Sequence, residues 1–299
     1  EGHGTAVMGL MVGGGGSGAT IGVAPGAQWI AAKIFPDTGD ATNDKILEAL
    51  GWVLDPDNDP ETDDGADVVN NSWGFDNFLD QCLTGSELTN LQVALANLRA
   101  ADVAVVFSAG NTGPASGSSV PPGNMSGVLA VGAAGFVNGN FVVSPFSARG
   151  PSPCDATGEV FPDISAPGIS VRTAGLTRGG RDPFPYVSIS GTSFSAPHVA
   201  GALALLRQAF PPPLATMESL QSAVQQMAVD LGVPGDDNDY GSGLLDVSAA
   251  YNLLLDSNPV LVFSDQTLSS DDGIIDFSNV APLGSHTVSV QVINSGGGF

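Results

Sequence analysis

The stretch "SISGTSFSAPHVAGALALLRQAF", residues 188–210, decides the fold. It opens as a short strand-like run and breaks at a Gly-Thr-Ser turn. From Ala196 it is apolar almost all round, which reads as a buried helix. Pro197 falls in the first turn of that helix, where a missing N–H costs nothing. Strand, tight turn and buried helix make the repeating unit of an α/β domain, and such domains gather their chemistry at the carboxyl ends of the strands. Ser193 lies in that turn. Taken alone, a serine there is ordinarily a helix cap.

The same alternation runs outward in both directions. "AQWIAAKIF" (27–35), "ADVVNNSW" (66–73), "DVAVVFSAG" (102–110) and "GVLAVGAAG" (127–135) read as strands, all but the second of them buried. "NDKILEALGWVL" (43–54) sets Ile46, Leu47, Leu50, Val53 and Leu54 on one helical face, with Asn43 as its cap. "ELTNLQVALANLRAA" (87–101) repeats Leu88, Leu91, Leu95 and Leu98 at helical spacing, and "MESLQSAVQQMAVDL" (217–231) does so with Leu220, Val224, Met227 and Leu231. The pattern predicts an α/β fold of three αβα layers around a mostly parallel sheet. "DDNDYGSGLLDVSAAYNLLL" (236–255) closes this domain. After Asn258-Pro259 the texture changes to short alternating runs such as "HTVSVQV" (286–292). The expected division is an α/β domain over 1–256 and an incomplete β-sandwich-like segment over 257–299.

Composition narrows the function. Lys and Arg number 8 against 31 Asp and Glu, a net charge of −23 over 299 residues. A surface this acidic repels phosphate backbones and excludes nucleic acid as a partner. No apolar run approaches the roughly 18 residues of a membrane span. No basic and apolar leader opens the sequence, so a signal peptide is expected to be absent or already removed. The two cysteines, Cys82 and Cys154, lack metal-ligand spacing; one disulfide and two free thiols both remain open.

Three stretches carry the candidate chemistry. "EGHGTAVMG" places His3 at the head of an apolar helical run, "FSAGNTGP" places Asn111 in a Gly turn after a strand, and "SGTSFSAPHVAG" holds Ser193. Each alone has an ordinary structural explanation. Together they supply a base, an amide donor and a nucleophile at the expected edge of one sheet. His198 is a poor base for Ser193, because five helical residues turn the two side chains well apart.

The segments "GHGT", "GVAPGA", "NNSWG", "SAGN", "SAPG" and "GTSFSAPHVAG" together resemble the subtilisin-like serine peptidases (subtilases) over about residues 1–255, most closely the bacillopeptidase F branch. The resemblance implies Ser193 as nucleophile, His3 as general base and Asn111 as oxyanion donor alongside the Ser193 N–H. It implies Ser72, Trp73 and Gly74 as the extended edge that pairs with substrate backbone, Gly110 as the second wall of the cleft, and Val120 near the floor of the primary specificity pocket. It further implies a secreted endopeptidase acting on polypeptides through an acyl-enzyme, with no cofactor needed for the chemistry. The family order is Asp, His, Ser. Asp37 in "PDTGD" follows His3 and so is not the triad aspartate, which is expected upstream of residue 1. The rival reading is a catalytically inactive subtilase-like binding or surface module.

One acidic loop stands apart. "LDPDNDPETDDGAD" (54–67) crowds Asp55, Asp57, Asp59, Glu61, Asp63, Asp64 and Asp67 together, and a hard cation would relieve their repulsion. It is no EF-hand: Pro60 and Ala66 stand where the turn Gly and the bidentate Glu belong. Two readings stand side by side: a solvated acidic surface suited to high salt, and a structural calcium held by Asp55, Asp57 and Asp59.

Overall fold

A computed structural model describes residues 2–14, 20–38, 40–75, 82–154, 158–178 and 185–257. The chain divides into a unit Glu1–Leu254 and a unit Leu255–Phe299. The sandwich-like segment expected beyond residue 257 lies outside the described residues.

The centre of the first unit is a sheet of five strands: β1 (Val68–Asn71), β2 (Ala104–Ser108), β3 (Leu129–Val137), β4 (Asn140–Val143) and β5 (Ile164–Pro167). β1 pairs with β2, β2 with β3 and β3 with β5, all parallel; β4 alone is antiparallel, returning on β3 through a tight Asn138-Gly139 turn. A separate antiparallel hairpin joins β6 (Val171–Ala174) to β7 (Tyr186–Ile189).

The period-two rule sorts the side chains of β2 to two faces. Ala104 and Val106 join a core with α4 (Ala196–Ala209), α5 (Met217–Gln226) and α6 (Val247–Ser257). Val105 and Phe107 join another with α2 (Asn43–Trp52) and α3 (Gly85–Ala100). Helices on both faces of a mostly parallel sheet make the three expected layers. α4 is the spine of the first face, with Leu203 and Leu206 fully buried. At its far end the buried Arg207 guanidinium donates to the carbonyls of Ala215 and Asp102, 3.1 and 3.0 Å away, and pairs with Asp67 and Asp102.

Three expectations need correction. Residues 27–35 are neither a strand nor buried: Trp29 and Phe35 are 57% and 45% exposed. A strand exists only against a neighbour, and among the described residues this segment has none, while β1 is paired on one side only. Asn43 is already helical; the cap of α2 is Thr42, whose hydroxyl accepts the Lys45 N–H at 3.4 Å. α5 stops at Gln226 because the backbone of Val229 turns to exchange both hydrogen bonds with Leu244, leaving Met227 and Leu231 beyond the helix. The question of the cysteines is answered by a Cys82–Cys154 disulfide, Cα to Cα 5.3 Å.

Candidate active site

The candidate residues come from the carboxyl ends of β1 and β2, the turn after β7 and the head of α1 (His3–Val12). α1 is pressed onto β6 at Gly9, where a Cβ would meet Ala174 Cβ and Thr173 Oγ1 at 2.8 Å. The buried Thr173 hydroxyl also donates to the Ala6 carbonyl. Val7 and Leu10 pack with Phe194, and the His3 ring lies 5.5 Å from the Phe194 ring, centroid to centroid. His3 is thus anchored to the residue after Ser193. Partial burial lowers the pKa of its imidazole. That favours the neutral form a base requires.

Ser193 is the middle residue of a short 3-10 turn, Thr192–Phe194, which leads into α4. It is not the helix cap; Ser195 holds that position. The Ser193 hydroxyl donates to the Ser72 carbonyl at 3.3 Å, and the Ser72 hydroxyl donates to the Ser193 carbonyl at 2.8 Å. The Ser193 hydroxyl is therefore turned to the end of β1 and not to His3.

Asn111 follows β2 after Gly110, whose φ of 106° suits glycine. Its Oδ1 accepts both the N–H and the hydroxyl of Thr192, each at 3.0 Å. The Thr192 hydroxyl in turn accepts the Gly110 N–H at 3.2 Å. With its acceptor occupied by Thr192, the residue directly before Ser193, the amide keeps its Nδ2 donor uncommitted among the described residues. Thr192 thus fixes which way the amide faces. Sequence reasoning missed it, although its place in "GTS" beside Ser193 was a signal.

The two segments expected to wall the cleft also meet. Trp73 stacks edge-on with Phe107 at 5.3 Å, and its indole N–H donates to Asn71 Oδ1 at 3.1 Å. A Cβ on Gly110 would stand 2.7 Å from Val120 Cγ2, and one on Gly74 would stand 3.5 Å from it. Val120 therefore sits between the walls. Its loop is braced by Asn124, which donates to Ser119 Oγ at 3.3 Å and to Cys154 Sγ at 3.2 Å.

The remaining candidates fall elsewhere. His198 directs Nδ1 to the Phe194 carbonyl, 2.7 Å away, and burial lowers its pKa. Asp37 is exposed and paired with Lys33. In the acidic loop, carboxylate oxygens of Asp55, Asp57 and Asp64 lie within 4.8 Å of one another. Asp59 lies outside this trio, with Oδ1 accepting the Glu61 N–H at 3.1 Å.

The chain as a whole matches a known family. The family model described as the subtilase family matches residues 1–243. The chain belongs to the subtilase family. It is 38% identical over 266 residues to bacillopeptidase F of Bacillus subtilis (strain 168), covering 85% of this chain and 17% of that protein. It is 31% identical over 252 residues to subtilisin DY of Bacillus licheniformis, covering 84% and 77%, and 32% over 250 to the thermostable alkaline protease of Halalkalibacterium halodurans, covering 84% and 58%. Among solved structures, the S41 psychrophilic protease superposes with a TM-score of 0.67 at 30% identity, covering 83% of this chain and 78% of that one. Sphericase does so at 0.68 and 28%, with the same coverage. The likeness to bacillopeptidase F is the one expected from "VVNNSWG" and "ISAPG", and the subtilase chain spans about a sixth of that relative.

Proposed function

We infer that this subtilase domain makes its parent protein a secreted serine endopeptidase. Ser193 attacks the scissile carbonyl and His3 takes its proton. Asn111 Nδ2 and the Ser193 N–H stabilise the oxyanion, and an acyl-enzyme forms and is hydrolysed. The observation that carries this reading is the pair of hydrogen bonds that the Thr192 N–H and hydroxyl donate to Asn111 Oδ1, which leaves an amide donor uncommitted beside a serine at a helix N-terminus. The third member, an aspartate, is expected from sequence before residue 1. Among the described residues β1 offers a free edge for such a strand. Residues 1–299 alone should be slower by roughly 10⁴, the loss seen when serine peptidases lose this carboxylate.

Val120 narrows the space between Gly74 and Gly110, so small uncharged side chains are the preferred residues before the cleaved bond. The acidic loop fits a calcium ion: Asp55 Oδ1 is buried without a partner, and desolvation, then the Asp57 charge, raises the pKa of Asp64. Asp55, Asp57 and Asp64 would hold the ion, which would serve stability and take no part in peptide cleavage. The test of the central reading is casein digestion by the full-length parent and its Ser193→Ala variant. The parent should digest and the variant should not; digestion by the variant refutes the assignment.

A further inference from the structure

The turn that carries Ser193 is held by a chain of bonds that lies outside the reacting groups. Asn70 stands on β1, half-buried, two residues before Ser72. Its Nδ2 donates to Ser72 Oγ at 2.9 Å. A hydroxyl has one proton to give. With Asn70 occupying an acceptor site on Ser72 Oγ, that proton is directed to the Ser193 carbonyl, 2.8 Å away. The bonds therefore run one way, from amide to hydroxyl to carbonyl, and each link polarises the next. The route ends on the nucleophile's own carbonyl and crosses 121 residues of sequence. Asn70 Oδ1 is buried without a partner, so the amide reaches this network through its donor.

We propose that Asn70 is a positioning residue for acyl transfer: by donating to Ser72 it commits the Ser72 hydroxyl to the Ser193 carbonyl, and so fixes the nucleophile turn against the strand end that receives substrate. The proposal rests on the peptidase reading of this site. An aspartate at position 70 keeps the shape and reverses the direction. A carboxylate only accepts, so it draws the Ser72 proton to itself and leaves the Ser193 carbonyl without its donor. Removing the Ser72 hydroxyl breaks the same link from the other end, whereas threonine keeps a hydroxyl there.

The experiment uses the full-length parent, with labelling by a fluorophosphonate and turnover of a peptide nitroanilide. Asn70→Asp should slow acylation and lower kcat by about 10-fold or more, with KM within about twofold. Ser72→Ala should match it, Ser72→Thr should retain most of the rate, and the double variant Asn70→Asp with Ser72→Ala should be no slower than either alone. Thermal melting runs beside the kinetics. Should Asn70→Asp not fold, the Ser72→Ala and Ser72→Thr pair carries the test. A labelled parent whose Asn70→Asp variant acylates at the parent rate overturns the relay alone, as do additive losses in the double variant or equal rates for Ser72→Ala and Ser72→Thr. A parent that takes no label overturns the peptidase reading and the relay with it.

Discussion

At Asn111 the Oδ1 acceptor is held by Thr192, and the proposed function assigns the Nδ2 donor to the oxyanion. Replacing Asn111 with alanine should therefore lower kcat roughly 10²–10³-fold with little change in KM, the loss measured when subtilisin gives up its oxyanion asparagine. Steady-state kinetics on one peptide decides it; a rise in KM at constant kcat would place Asn111 in ground-state binding instead. Asp163 makes a different prediction. It accepts the Ala130 N–H at 2.5 Å at the start of β5, and burial, against that bond, raises its pKa from 3.8 to about 6. The folded state thus holds this proton more tightly than the unfolded one. The group's contribution is greatest below pH ~4, falls as pH rises through about 6, and is lost above, a change on the order of 2–3 kcal/mol. Asp163→Asn should flatten that slope in denaturant melts from pH 4.5 to 8. An unchanged slope would show that the carboxyl titrates normally. The candidates Ser193, His3 and Asn111 could be named because three short Gly-bound motifs carry them, and the structure brings Asn111 against Thr192 and His3 against Phe194. Thr192 and Asn70 could not, because hydrogen bonds across 81 and 121 residues leave no periodic trace; Asp64 was counted in the acidic loop but not singled out as a ligand, because spacing does not encode carboxylate geometry.

The elements were most legible where burial is symmetrical. β2 is buried throughout and α4 is apolar almost all round, and both fall where the pattern places them. Residues 27–35 carry the same apolar signal without a partner strand, so pattern alone misplaced them. The β6–β7 hairpin, half exposed and of mixed polarity, gave no clean alternation. Truncating Leu203 at the centre of α4 should cost about 2–5 kcal/mol, because its neighbours on β2, β5 and α5 cannot all close on the hole. The disulfide belongs to this scale as well. It links the approach to α3 with the segment that braces the Val120 loop through Asn124. Breaking it with Cys82→Ser and Cys154→Ser together should cost about 2–4 kcal/mol, read as a lower midpoint in chemical denaturation. No shift would mean that the loop is held without it.

Across the whole molecule, a net charge of −23 sets two expectations that calcium separates. Ligation at Asp55, Asp57 and Asp64 should raise the melting temperature in millimolar calcium and lower it in EDTA, by mass action worth about 3 kcal/mol at a hundredfold excess over Kd. Screening of a diffuse acidic surface would respond to sodium chloride and leave EDTA without effect. The three-layer architecture was readable because strand and helix alternate with their own periods. The most direct test of the account is fluorophosphonate labelling of the full-length parent with the modified peptide mapped by mass spectrometry. The account predicts a label on Ser193 that is abolished by His3→Ala and strongly slowed by Asn111→Ala. A proteolytically active parent labelled at another serine, or a folded parent that takes no label, would contradict it.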